Sequence, residues 1–339
     1  MTPVTGPRVL VREGAPAATA SALARGMAWL ADEYSASSVH ITFCSEDDAS
    51  TLTGDGRGRG GPKPDMLLRT GMQYHWHNAK ADGTQYTSFD DFLGALTQKR
   101  RNAIRKERRG VARAGYSCRR LRGTEITPAL WEAFYTFYQD TTSRKWGRAY
   151  LTREFFLGLS EAMGDSVMLV VAQEDESGEV VAAALNIVGA EGLYGRNWGC
   201  KPGLEVKGLH MCVCYYEAIA AAIDLGLDRG ASPRAWHACQ GSQKTSVLRV
   251  LTRHRDFARS AVEAGAQGEH KLARGYMPAP TLSAHYMRDP RFRQPIARAI
   301  GRERGEMDEV RRAIRSEASP FKDGHGPPFD AMRYMERLV

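Results

Sequence analysis

Residues 166–189, SVMLVVAQEDESGEVVAAALNIVG, decide the fold class of this chain. They contain two apolar runs of strand length, Ser166–Glu174 and Glu179–Gly189, separated by a short segment that favours a tight hairpin. A third strand is predicted at Leu193–Cys200, a long helix at Leu209–Leu225 and a further strand at Ala261–His270. This order predicts an α/β (α+β) fold in which helices flank a mixed sheet.

Further elements are predicted on both sides of this region. The predicted strands are Ser38–Cys44, Met66–Thr70 and Gln73–His77. The predicted helices are Ala17–Tyr34, a segment from Ser88 to about Gly115, a segment beginning at Thr127-Pro128, Thr152–Met163, and a charged helix from Pro290 to about Arg315. Ser88 is a suitable N-cap, and Pro128 suits a first helical turn.

Composition restricts the class of protein. The chain has 339 residues, of which 42% are hydrophobic and 25% charged, and this length is enough for roughly two domains of about 150 residues. The sequence has no apolar run of about 18 residues, so no membrane span is expected. Six cysteines are too sparse for a disulfide scaffold and indicate a reducing compartment. We therefore expect a cytoplasmic protein, or one inside an organelle if a transit peptide is missing.

A basic segment, Lys99–Arg122, is the densest charge feature of the chain. It holds eleven basic residues against one acid, Glu107, while the net charge of the whole chain is only +8. Such a segment can bind the phosphates of a cofactor, a lipid pyrophosphate or a tRNA backbone. It can equally be the solvated face of an amphipathic helix, although its single sign of charge favours an anionic partner.

Two further segments carry groups that can take part in chemistry. His75 and His77 fall on one face of a predicted strand, but no third ligand is near them in sequence, so no metal site is expected. The segment Glu263–Tyr276 combines carboxylates, an imidazole, cations and a phenol among glycines. These groups suit general acid–base chemistry and oxyanion stabilisation, and they equally suit a strand followed by a charged loop.

Several motifs, taken in order, resemble those of a known family. They are Tyr74–Asn78, Ser88–Leu93, Lys99–Arg108, Arg144–Gly147, Ala184–Asn186, Leu193–Cys200, Cys214–Tyr216 and Glu263–Tyr276. Together they resemble the FemAB-like peptidoglycan biosynthesis/recognition family, whose fold is that of the GNAT acyltransferases. The likeness extends from the first residues to about Phe321.

The resemblance implies two GNAT-like lobes and the direct attack of an amine on an acyl carbonyl. In such a fold Leu193–Cys200 faces the acyl group, and the start of the helix at Leu209 faces the donor phosphates. The residues then expected near the chemistry are Glu269, His270 and Tyr276. Those expected to bind substrate or donor are His75, Asn78, Lys145, Arg196, Lys271, Arg274, Arg105 and Arg109.

The resemblance also sets expectations for the donor. The usual GNAT pyrophosphate motif is absent at Lys201–His210, which disfavours acyl-CoA and leaves aminoacyl-tRNA as a possible donor. The basic helix would suit aminoacyl-tRNA, and both stay open as co-substrates. No bound cofactor is expected, and neither the amine acceptor nor the oligomeric state follows from the sequence. A non-catalytic protein that binds a cell-wall or nucleic-acid ligand, and an inactive truncated chain, are the alternatives.

The expected organisation has three parts. Residues 1–115 form a partial first lobe that ends in the basic helix. Residues 116–287 form the second lobe, with an insertion near 229–259, and residues 288–339 form a charged helix and tail. The chain starts at what looks like an internal motif of the family, so we expect the first lobe to be incomplete and to expose a sheet edge. Cys212 stands where the family usually has a glutamate.

Overall fold

The structure is a computed structural model, and it describes residues 4–16, 18–53, 66–144, 147–190, 192–227, 262–264, 269–316 and 319–327. The strands are β1 (Ser38–Cys44), β2 (Leu67–Trp76), β3 (Tyr116–Arg122), β4 (Val167–Glu174), β5 (Val180–Val188), β6 (Leu193–Cys200), β7 (Val262–Ala264) and β8 (Met277–Met287). The helices are α1 (Thr19–Glu33), α2 (Glu46–Thr53), α3 (Phe89–Ala95), α4 (Gln98–Arg113), α5 (Pro128–Ser143), α6 (Arg153–Met163), α7 (Leu209–Met211), α8 (Glu217–Asp224) and α9 (Pro290–Ser316).

All these strands belong to one eight-stranded sheet in the order β1-β8-β2-β7-β6-β5-β4-β3. Every neighbouring pair is antiparallel except β6 and β7, which are parallel. This one parallel junction divides the sheet into two antiparallel halves of four strands each. The expected α/β (α+β) class with a mixed sheet flanked by helices is therefore confirmed.

The second half, β3 to β6, follows from its sequence. Residues of β4 and β5 are buried almost throughout because helices cover both faces of this part of the sheet. On one face α5 and α6 pack their aromatic side chains, including Trp131, Phe134 and Phe156, against alternate residues of β4 and β5. On the other face α4, α7 and α8 pack against the intervening residues. The predicted hairpin of β4 and β5 and the strand β6 are confirmed.

Close contact between α5 and β6 depends on one glycine. A Cβ atom added at Gly199 would lie 2.6 Å from the backbone carbonyl atoms of Phe137 in α5. A side chain there would therefore push the helix off the strand. Thr127 caps α5 by accepting a hydrogen bond from the Leu130 N–H, and Pro128 lies in the first turn as predicted.

The first half contains a strand that the sequence analysis did not predict. β8 lies between β1 and β2, although it follows β7 in the chain. It comes from within residues 116–287, which we assigned to the second lobe, yet it pairs only with strands of the first half. The boundary between the two half-sheets therefore lies between β6 and β7, and it does not correspond to one boundary position in the sequence.

Four predicted elements need correction. Met66–Thr70 and Gln73–His77 form the single strand β2. The segment from Ser88 to Gly115 is two helices, because Leu96 is extended and the backbone of 95–97 bonds to the segment 320–322 instead. The strand predicted at Ala261–His270 is only β7 among the described residues, and a 3₁₀ turn, Glu269–Arg274, follows. Part of the basic segment also lies on β3 rather than on a helix.

Candidate functional site

The site lies at the parallel junction of the two half-sheets, at the point where the described pairing of β7 with β6 ends. β7 pairs with β6 only from Leu193 to Gly195, whereas β6 continues to Cys200. In the part of the chain that the structure describes, the remaining edge of β6 is unpaired on this side. We call this stretch, Arg196–Cys200, the open edge of β6.

Two backbone N–H groups point out of the open edge of β6. The Lys201 N–H donates to the Val181 carbonyl at 2.7 Å, and Cys200 faces Ala182 in the antiparallel register. Because successive residues of an antiparallel strand direct their N–H groups to opposite sides, the N–H groups of Cys200 and Trp198 point away from β5. They can therefore donate to an oxygen that approaches this edge, as an oxyanion site requires.

A cavity of about 460 Å³ adjoins the open edge of β6. It lies between the end of β6 and the segment that leads into α7, and most of its wall is apolar. Its lining residues are Trp198, Cys200, Leu204, Glu205, Val206, Lys207, Leu209 and His210. This cavity is of a size that takes a small acyl or aminoacyl group with its linkage.

An aromatic row runs from the cavity to a solvent-exposed histidine. It consists of Trp198, His210, Tyr215 and His270, with ring centroids 5.0, 5.5 and 5.6 Å apart in that order. Residues Cys212–Tyr216 form a π turn that joins α7 to α8, and this turn carries Tyr215. Such turns often occur at functional sites.

His270 is the imidazole in this row that is exposed to solvent. Its Nε2 atom lies 3.1 Å from the hydroxyl of Tyr215. Desolvation first, and then the positive charges of Arg274 and Lys271, lower the pKa of His270. The imidazole is therefore kept neutral at physiological pH, which is the form that accepts a proton.

Lys271, the next residue, is buried and only 2% exposed. Burial lowers the pKa of its ammonium group to about 8. His75 of β2 is also buried, with its Nε2 atom 3.1 Å from Oε1 of Gln73. Desolvation first, and then the charge of Lys271, lower the pKa of His75 to about 3. The sequence analysis singled out both residues, and the fold brings them close enough to interact electrostatically.

Arg274, which we expected to bind a substrate or donor anion, makes four hydrogen bonds within the protein. Its Nε donates to the hydroxyl of Tyr216 at 3.0 Å, Nη1 to the carbonyl of His270 at 2.7 Å, and Nη2 to Glu107 at 2.9 and 3.0 Å. Tyr216 also donates to Glu107. The guanidinium group therefore ties the 3₁₀ turn to α4 and to the π turn.

The remaining expected site residues are scattered. Tyr276 is fully buried against Tyr215, and its hydroxyl has no hydrogen-bond partner among the described residues. Asn78 is a structural link, because its side chain bonds to the Tyr86 N–H and to the Leu227 carbonyl. Arg105, paired with Asp90, and Arg109 are exposed on α4.

Arg196 lies on the open edge of β6, where its guanidinium group donates to the hydroxyl of Tyr150. Lys145 falls outside the described residues. Glu269 begins the 3₁₀ turn, and only its backbone is described. The described residues contain no cluster of three or more histidine, cysteine or acidic side chains able to hold a metal ion. None of their helices is long and apolar enough to cross a membrane.

Sequence reasoning missed three residues of the site: His210, Tyr215 and Trp198. His210 and Tyr215 lie close together on the predicted helix, but a regular helix gives no reason to place both in one aromatic row. Trp198 belongs to a strand in which any large apolar residue is expected to face the core. The sequence feature that could have indicated a site residue was the position of His210, which follows a predicted strand and lies at the start of a predicted helix.

The family model described as peptidoglycan biosynthesis/recognition, FemAB-like, matches residues 1–245 and 256–323. The match is interrupted only between 245 and 256, within the segment 229–259 that we expected to be an insertion. The whole of that segment lies outside the described residues. No curated protein matches the chain.

Solved structures give weaker likenesses. The chain is similar to the C-terminal DUF2156 domain of a putative lysylphosphatidylglycerol synthetase from Agrobacterium fabrum (11% identity, 78% of this chain and 72% of that one, TM-score 0.45). It is also similar to L-PGS from Bacillus licheniformis (13% identity, 83% of this chain and 78% of that one, TM-score 0.43). The corresponding values for FemX are 10%, 83% and 79%, with a TM-score of 0.40. Likeness at this level carries no argument about function.

Proposed function

The chain belongs to the FemAB-like family of peptidoglycan biosynthesis/recognition proteins, and from that premise we propose that it transfers an acyl or aminoacyl group to an amine. The observation that carries the proposal is the open edge of β6 beside the 460 Å³ cavity. An acyl group in the cavity lies next to two outward N–H groups, those of Trp198 and Cys200. Such donors stabilise the negative charge that develops on the carbonyl oxygen when an amine attacks.

The proton of the attacking amine needs an acceptor, and we assign that role to His270. It is neutral, it is exposed, and it is held by Tyr215 at one end of the aromatic row that reaches the cavity. Holding acyl donor and amine together supplies much of the rate in reactions of this kind. Arg274 then serves to fix the 3₁₀ turn that carries His270.

The donor that fits best is an aminoacyl-tRNA. Lys99, Lys106, Arg109 and Arg113 recur along α4 at spacings of about one or two turns, so they form a single exposed stripe, the α4 stripe. The same helix packs against the entrance to the cavity, because a Cβ at Gly208 would lie 3.5 Å from Glu107. A polyanion bound along the α4 stripe would therefore bring its end to the cavity. Acyl-CoA is the alternative donor.

Thermal unfolding with candidate donors tests this proposal. Ligand at 100 times its dissociation constant stabilises the folded state by about 2.7 kcal/mol, which raises the melting temperature by several degrees. We expect an upward shift with a mixture of aminoacyl-tRNAs, and no shift with acetyl-CoA. A shift with acetyl-CoA alone would assign the donor to the CoA thioesters, and no shift with either would contradict the proposal.

Salt and charge variants separate the tRNA contact from nonspecific effects. If four phosphates are contacted, the logarithm of the binding constant falls with the logarithm of salt concentration with a slope of about −3 to −4. The double variant Lys106→Gln/Arg109→Gln should reduce that slope by about two units. Arg153→Gln is the matched control, because Arg153 is an exposed cation on α6, across the sheet from α4. It should leave both affinity and slope unchanged.

A further inference from the structure

The face of β6 opposite the cavity carries a second polar group that the reaction above does not use. In the register with β5, Leu185 faces Asn197 and Asn186 faces Gly195, so Arg196 is an extra residue and forms a β-bulge. Asn197 shares the α5 face of the sheet with Leu185, which packs in the core formed by α5 and α6. Trp198, the next residue, lines the cavity on the opposite face.

The bulge brings Arg196 to the same α5 face as its neighbour Asn197. Arg196 donates to the hydroxyl of Tyr150, and its guanidinium carbon lies 5.8 Å from the centre of that ring. Tyr150 in turn packs on Tyr138 of α5. Without the bulge, consecutive residues would point to opposite faces. Among the described residues, no carboxylate forms an ion pair with Arg196.

Two buried polar atoms on this face have no hydrogen-bond partner among the described residues: Oδ1 of Asn197 and Oγ1 of Thr141. Thr141 lies one helical turn beyond Phe137, the residue that contacts Gly199. Tyr150, in the segment that follows α5, contacts Arg196. Because Phe137 of α5 lies against Gly199, the C-terminal end of α5 points towards Arg196 and Asn197. Thr141 and Asn197 are therefore brought to the same part of the interface. Buried polar atoms are nearly always satisfied, and a pair left open marks a place for a polar ligand.

The chemistry of the three groups is complementary to one kind of molecule. The amide oxygen of Asn197 accepts hydrogen bonds, as the hydroxyl of Thr141 can, and both suit the N–H groups of an amine or ammonium. The guanidinium group of Arg196, on the adjacent residue, suits a carboxylate. We propose that the α5 face of the β6 bulge binds the amine acceptor as an α-amino acid end, with its amine and its carboxylate on one carbon.

This inference rests on the proposed function for the fate of the bound amine. The bulge and the cavity lie on opposite faces of β6 and both adjoin its open edge, along which no described strand runs, so we place the reaction at that edge. There the amine nitrogen bonds to the acyl carbon, the bond from that carbon to the tRNA ribose oxygen breaks, and the nitrogen loses one proton to His270. The ribose oxygen takes up a proton, so an N-acylated amino acid and free tRNA result.

Binding measurements on the intact chain test the acceptor class without requiring turnover. A panel of free α-amino acids is compared by thermal shift and calorimetry with the corresponding amino acid amides, which lack the carboxylate, and the deaminated acids, which lack the amine. At least one amino acid should bind ten times more tightly than either analogue. Glycylglycine, whose amine and carboxylate lie apart, distinguishes a free amino acid from a peptide end. Amides or deaminated acids that bind as well as every amino acid would overturn the inference.

Two substitutions locate the binding to the bulge. Arg196→Gln should weaken amino acid binding at least tenfold and leave amide binding unchanged, whereas Asn197→Leu should weaken both. Arg153→Gln is the matched control. If neither variant folds, the ligand panel on the unaltered chain still decides the inference. Amino acid binding without any transfer would support this acceptor class and count against the proposed function. Equal transfer to amines with and without a carboxylate would support the proposed function and count against this acceptor class.

Discussion

Gly199→Ala probes the contact between α5 and β6 on which both faces of the site depend. The added Cβ would lie 2.6 Å from the carbonyl carbon, the carbonyl oxygen and the Cβ of Phe137. Two of these three atoms belong to the backbone of α5, so no rotation of a side chain relieves the overlap. The helix must move by about 1 Å, since nonbonded carbon atoms prefer a separation of about 3.5–4.0 Å.

The magnitude follows from the packing that this movement disturbs. Overpacking a well-packed core costs about 1–3 kcal/mol, and the upper part of that range applies because a backbone must be displaced. Movement of α5 also loosens the aromatic cluster that joins Trp131, Phe134 and Phe156. A loss of about 2–3 kcal/mol corresponds to a fall in melting temperature of about 5–10 °C for a chain of this size.

Differential scanning calorimetry gives the comparison, with Gly158→Ala as the control. Gly158 lies within α6, which packs against α5, but a Cβ there meets no atom within 4 Å. Alanine in a helix interior is favoured over glycine by about 0.5–1 kcal/mol, so the control should melt at or slightly above the wild-type temperature. Equal melting temperatures for Gly199→Ala and the wild type would refute the packing of α5 on β6 described here.

Three other changes have definite expected results. Lys271→Met should raise the free energy of unfolding at pH 7, because burial lowers the lysine pKa from 10.5 to about 8. This gain should shrink as the pH rises from 8 to 10.5, and urea unfolding at pH 8 and at pH 10.5 measures the difference. Burial lowers the His75 pKa from 6.5 to about 3, so wild-type stability falls between pH 6.5 and pH 3 by up to about 1.4 kcal/mol per pH unit. His75→Gln should lose less stability over this pH range. Equal dependence of stability on pH in the variant and the wild type would contradict this. Glu107→Ala should lower the free energy of unfolding by about 2–3 kcal/mol in chemical denaturation, because it leaves the shielded guanidinium of Arg274 without its carboxylate. Arg105→Ala removes an exposed ion pair and should cost less than about 1 kcal/mol. Equal losses in the two variants would contradict the hydrogen-bond network around Arg274.

The second half of the sheet was predictable because its signals are local. The apolar runs of β4 and β5 have strand length, and Asp175–Gly178 joins them as a hairpin. The caps of α3 and α5 were likewise visible as Ser88 and Thr127, whose hydroxyls accept the expected backbone hydrogen bonds. Each of these features depends only on residues that are close together in the chain.

β8 was missed because Pro278 and Pro280 argue against a strand in the middle of a sheet. The register explains how they are tolerated. β8 pairs with β2 from Met277 onward, but with β1 only over Leu282–Met287. Both prolines therefore lie where only one side of β8 is paired, and a missing N–H on the other side breaks no ladder hydrogen bond.

The site was only partly predictable, for a similar reason. The segment that holds His270 and Lys271 stood out by its composition, and the structure places His270 beside Tyr215, in the aromatic row that begins at the cavity. Arg274 pairs with the carboxylate of Glu107, which is 167 positions away, and nothing local in the sequence indicates that pairing. The π turn adds one residue to a helical segment, which brings Tyr215 towards His270, and periodicity alone does not reveal it.

The most direct test of the central claim is a transfer assay with the purified chain. Aminoacyl-tRNAs carrying a radiolabelled aminoacyl group are incubated with the chain and an equimolar pool of free amino acids, and the products are separated by chromatography. We expect label in a new amide that is stable to mild base, and we expect this label to be lost in His270→Ala but not in Arg153→Gln. Label that stays on tRNA, or appears only as free amino acid at the rate of spontaneous hydrolysis, would contradict the central claim.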